Sequence, residues 1–67
     1  MESVARVTEI SATSSTSFED AVKTGLSRAT QTLRNIESAW IKDQNVMLDN
    51  GEIKGYKVNM LVTFVLE

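Results

Sequence analysis

The chain has no cysteine and no histidine. Those two absences exclude disulfide staples, Cys/His zinc sites, thiol nucleophiles, His or Cys ligation of haem, and any Ser-His-Asp triad. Positive charge is also sparse. Seven Lys and Arg stand against nine Asp and Glu, for a net charge of −2 and a pI near 5.0. The cations fall singly at Arg6, Lys23, Arg28, Arg34, Lys42, Lys54 and Lys57, without the basic stripe that phosphate recognition requires. No nucleic-acid partner is expected. No apolar run approaches the ~20 residues needed to span a bilayer, so no membrane partner is expected either. The opening Met1-Glu2-Ser3-Val4-Ala5-Arg6 carries an early acid and is not a secretory signal, which leaves a soluble, cytoplasmic protein as the expectation.

Sixty-seven residues make one domain with little core. A chain this short buries only about 60% of the surface its unfolded form exposes. With staples and structural zinc excluded, self-association is the remaining way to strengthen it.

What is present reads as β-α-β-β. Residues 3–11 are rich in β-branched side chains and predict a strand, and the small polar run Ala12-Thr13-Ser14-Ser15-Thr16 predicts a loop. Ser17, with Asp20 three residues on, forms a capping-box-like start. Phe18, Val22, Gly25/Leu26, Ala29, Leu33 and Ile36 then recur at three and four, an apolar stripe for a helix of about five turns that Asn35 would end. The lone Gly25 suits close helix packing.

Two strands follow, joined at Asp49-Asn50-Gly51-Glu52, where Asn and Gly tolerate the left-handed backbone of a tight hairpin. In the last strand Tyr56, Val58, Met60, Val62, Phe64 and Leu66 make the core face. In the strand before it, alternation puts Ser38, Trp40, Lys42, Gln44 and Val46 on one face and Ala39, Ile41 and Asp43 on the other. A five-turn helix is roughly 30 Å long and these strands roughly 35–43 Å, so the sheet should overhang and curl around the helix. One helix cannot cover both faces. The second face, with Trp40, Val46, Leu61 and Val65, is expected to be buried against copies of the same chain. The fold class is α+β, a three-stranded antiparallel sheet wrapped around one long helix.

Several stretches resemble the dodecin family: Ala12-Thr13-Ser14-Ser15-Thr16-Ser17-Phe18-Glu19-Asp20-Ala21-Val22, the helix close Ala29-Thr30-Gln31-Thr32-Leu33-Arg34-Asn35-Ile36, the turn Asp49-Asn50-Gly51-Glu52-Ile53 with Tyr56 after it, and Val62-Thr63-Phe64-Val65-Leu66. The resemblance spans nearly the whole chain. It implies a hollow homo-dodecamer that holds flavin (riboflavin or FMN) between subunits. It also marks the ligand positions, and there this sequence departs. Ser38 stands at the usual flavin-stacking tryptophan, with Trp40 two residues later. Lys57 stands where many members have a glutamine on the ring edge, and Asn45 where bacterial members have an arginine.

The candidate cofactor-binding residues are therefore Trp40, Ser38, Gln44, Asn45 and Lys57. Trp40 has two competing roles, a stacking platform for a flat ring or a packing residue between subunits. Some family members that lack the tryptophan bind calcium, and Asp43-Gln44-Asn45 somewhat resembles their sequence. Asp43, Asp49 and Glu52 are the alternative oxygen ligands, although they do not follow EF-hand spacing. There is no nucleophile with a base beside it and no phosphate-cradling glycine loop, so the chain is not expected to be an enzyme.

Overall fold

The computed structural model describes residues 2–66. Strand β1 (Ala5–Ser14) leads to helix α1 (Phe18–Ala29), then strands β2 (Ile36–Asp49) and β3 (Glu52–Val65). All pairing is antiparallel, in the order β1-β3-β2, so the last strand is the middle of the sheet. No helix among the described residues is long and apolar enough to cross a membrane.

The helix starts where its cap predicts. Ser17 is extended, and its side-chain oxygen accepts from the Asp20 backbone N–H at 3.0 Å. The reciprocal arm is rerouted: the buried Ser14 hydroxyl donates to the Asp20 carboxylate at 2.6 Å and accepts from the Thr16 N–H at 2.9 Å. That role explains why β1 runs on through Ala12, Thr13 and Ser14, where small polar residues predict a loop. Phe18 then packs edge-on against Tyr56 of β3, with ring centroids 5.1 Å apart.

The helix is shorter than its apolar stripe implies. It has twelve residues and closes at Thr30, after which Thr30 Oγ1 bonds the Ser27 carbonyl at 2.8 Å and Thr32 Oγ1 the Ala29 carbonyl at 3.5 Å. Threonine hydroxyls that compete for the last carbonyls favour unwinding, and β-branched side chains add to the cost of another turn. Leu33 and Ile36 still pack against the core, but from the connection and from the start of β2. Asn35 reverses the chain just before β2, in the left-handed region at φ 61°. In the hairpin, Asn50 and Gly51 both take positive φ, 52° and 78°, the pattern of a two-residue type I′ turn.

Ala21, Gly25 and Ala29 form the buried line of α1, set against Ala12 and the fully buried Val58, Met60 and Val62. A Cβ on Gly25 would lie 2.7 Å from Met60 Cε and 2.9 Å from Ala12 Cβ. Met60 Cε is a flexible tip, whereas Ala12 Cβ moves only with its strand. Gly25→Ala therefore gains roughly 1 kcal/mol of helix propensity and meets an overpacking cost of about 1–3 kcal/mol. The expected outcome is a net loss of about 1 kcal/mol, read as a lower thermal unfolding midpoint at matched protein concentration.

Candidate functional site

β3 carries the core on one side and a mixed surface on the other, and its partners inherit those sides because residues directly opposite share a face. On the side away from the helix, Trp40 and Glu9 flank Leu61. One step toward the turn, Asp43 and Ser11 flank Asn59, and beyond them Asn45 and Thr13 flank Lys57. One step the other way, Ser38 and Val7 flank Thr63.

The order of these rows depends on one irregularity. Ile41 pairs with Met60 and Asp43 with Asn59, so Lys42 is an extra residue, a bulge in β2. A single inserted residue reverses the alternation that follows it. Before the bulge, Ser38 and Trp40 lie on the outer face, as alternation predicts. After it, Asp43 and Asn45 take that face, while Gln44 and Val46 sit opposite Val58 and Tyr56 on the helix side. Gln44 is therefore not beside Trp40, and Asp43, assigned by alternation to the other face, is. Four of the five candidate binding residues, Ser38, Trp40, Asn45 and Lys57, share one surface.

That surface is organised by polar contacts across all three strands. Lys42 reaches over β3 to Glu9, Nζ to Oε2 at 3.2 Å. Ser11 Oγ donates to Asn59 Oδ1 at 2.8 Å, and Asn59 Nδ2 donates to Asp43 Oδ1. All three contacts are solvent-exposed, so each adds little stability on its own; what they do is fix side-chain directions beside the indole. Asn59, Ser11 and Glu9 were not among the candidates. The one sequence signal for Asn59 was a polar residue within a largely apolar strand.

Trp40 is 75% exposed, and nothing among the described residues covers its ring. Lys57 is half-buried and, among the described residues, has no carboxylate partner. The face thus combines a flat apolar platform, a row of oriented hydrogen-bonding groups about 7 Å along the strands, and a cation about 14 Å along. Such a set suits a planar heteroaromatic molecule: the indole meets its face, and Asp43, Asn45 and Lys57 can meet its polar edge or an anionic tail.

The structure brings together only two of the three alternative metal ligands. Asp49 and Glu52 pair at the hairpin end, where Lys54 Nζ lies 3.7 Å from Asp49, but Asp43 lies six positions back along β2, about 20 Å away. Among the described residues no three acids cluster to hold a metal ion.

The shape of the protomer fits the expectation of self-association. It measures 52 × 20 × 14 Å and exposes 5139 Å². A monomer of its mass scales to about 4,200 Å². The difference is surface that a lone chain of this size does not ordinarily leave wet.

Comparison with known proteins gives a consistent answer. The Dodecin family model matches residues 4–67. Dodecin from Streptomyces davaonensis is 33% identical, with a TM-score of 0.93 over 100% of this chain and 98% of that one. A point mutant of the Thermus thermophilus dodecin is 30% identical, with a TM-score of 0.92 and 98% of each chain covered. A calcium dodecin from Mycobacterium tuberculosis, described as a calcium-chelating antigen with a novel calcium-binding site, is 32% identical. It aligns at a TM-score of 0.84 over 97% of this chain and 93% of that one. No curated protein matches the sequence significantly.

Trp40 is the sole tryptophan, so its emission reports this face directly. With the ring covered by another copy, the emission maximum shifts to the blue relative to protein dissociated by dilution or mild denaturant. An unchanged maximum across dissociation would show that the ring stays in water.

Proposed function

The chain belongs to the dodecin family, and from that premise we infer that it forms a dodecin-like homo-oligomeric shell, a dodecamer, that binds and sequesters flavin at its subunit interfaces without catalysis. The observation that carries this reading is the exposed Trp40 ring on a face rich in oriented polar groups. Trp40 stacks on the ring system, and the next subunit closes the other side. Asp43 and Asn45 meet the polar edge, and Lys57 offers a cation to that edge or to a phosphate. A bound flavin would supply a redox-active, light-absorbing ring. The residues of this chain bind it, shield it from water and hold it away from reactants. They offer no nucleophile and no paired acid and base to act on it.

Ser38 lies one row further from the turn than Trp40, where most members place their stacking residue. The indole has moved about 7 Å along the strand toward Asp43 and Lys57. A ligand that follows the indole keeps its platform and exchanges its edge contacts for these residues. The second reading is a shell without flavin, structural or calcium-binding, in which Trp40 only packs between subunits. The calcium dodecin of Mycobacterium tuberculosis favours keeping it. Since Asp43 is about 20 Å from the Asp49–Glu52 pair within one chain, such a site would have to combine oxygens from several copies.

Riboflavin and FMN titrated into the protein separate the two readings. The flavin reading expects fluorescence quenching that saturates, and about a tenfold or greater loss of affinity in Trp40→Ala. If neither flavin is quenched at tens of micromolar protein, the flavin reading fails. Calcium added to the same protein raises the unfolding midpoint if only the folded assembly binds it, and leaves it unmoved otherwise. Sedimentation at micromolar concentration tests the shell, with an expected mass about twelve times the 7.4 kDa of the chain.

A further inference from the structure

β1 ends at the Ser14–Tyr56 pair, so residues 47–55 continue as a two-stranded ribbon with no third strand beside them. A ribbon of two strands is marginal by itself. This one also ends in apolar side chains: Met47, Leu48 and Ile53 are 46%, 62% and 57% exposed. Its turn is acidic. Asp49 has Lys54 at 3.7 Å, while Glu52 has no ion-pair partner among the described residues.

Elsewhere on the molecule, β1 and α1 border a cleft of about 540 Å³, with Ile10, Ala12, Gly25, Ala29 and Leu33 in its walls. The small residues of α1 and β1 make it wide. Arg28 also lines it, and its guanidinium touches only the neutral Gln31 amide, at 3.0 Å, with no carboxylate partner among the described residues. An apolar tip with a free carboxylate and an apolar cleft with a free guanidinium therefore sit on one chain.

We propose that the hairpin tip of one copy seats in the β1–α1 cleft of a second copy, with Leu48 and Ile53 against the apolar walls and Glu52 facing Arg28. Tip and cleft are different surfaces, so the contact is heterologous, and it closes only as a ring in which each copy both gives a tip and receives one. The contact covers the ribbon that the protomer cannot support, and it uses part of the excess exposed surface. It does not rest on the flavin reading, and the experiments are run without ligand.

A charge swap tests the pairing. Arg28→Glu and Glu52→Arg each shift the assembly toward smaller species, raising the concentration at which it half-dissociates by about tenfold or more, and the double variant recovers it. Two single variants that sediment like the parent overturn the proposal, as does a double variant that fails to recover. A second measurement guards against misfolding. Thr24 of α1 also lines the cleft, and the chain has no cysteine, so any disulfide in the variant pair Leu48→Cys with Thr24→Cys is an engineered one. Mild oxidation of this folded variant yields covalently linked chains about tenfold above the level given by either single cysteine alone. Yields equal to the single-cysteine controls overturn the proposal.

Discussion

A single helix of twelve residues has to close the core of a three-stranded sheet, and it reaches two of the strands. Everything else in the protomer follows from that shortfall. The helix lies on β1 and β3, with Gly25 giving the clearance for Met60 and Ala12. β3 is central and holds the fully buried Val58, Met60 and Val62, while β2 contributes only Ile36 and Ala39 to the core. The rest of β2 is exposed on both faces. A fourteen-residue edge strand with apolar side chains and no cover is surplus to one chain and material for an interface.

The same shortfall leaves the outer face free of core packing. The helix side of the sheet is used for folding, and the buried cluster lies entirely on that side. On that face the Lys42 bulge has more effect than any side-chain substitution. It keeps Trp40 where strand alternation puts it, turns Gln44 and Val46 toward the helix side, and brings Asp43 and Asn45 into register with Asn59 and Lys57. The residues around the indole are thereby a carboxylate, two amides and an ammonium. Ser38, Asn45 and Lys57, three of the candidate binding residues, all fall on this one surface.

Most of the fold was legible in the chain because its signals are local. Ser17 caps the residue three ahead of it, Asn50-Gly51 sets its own backbone geometry, and the alternation from Tyr56 to Phe64 needs no partner to be read. The apolar stripe on the helix found Gly25 and Ala29 but missed the fully buried Ala21, and it overstated the helix, because spacing cannot tell Leu33 on a helix from Leu33 folded back onto the core. The threonine hydroxyls that end the helix act through hydrogen bonds that periodicity does not weigh.

Sequence by itself determined the element order, the core strand, the turn and the absence of cysteine and histidine chemistry. Tertiary structure decided which side chains stand beside Trp40. A bulge exists only relative to the strand opposite, since Lys42 is an extra residue only when Ile41 and Asp43 are counted against Met60 and Asn59. Strand pairing across sixteen or more residues sets that count, and no pattern within β2 alone contains it.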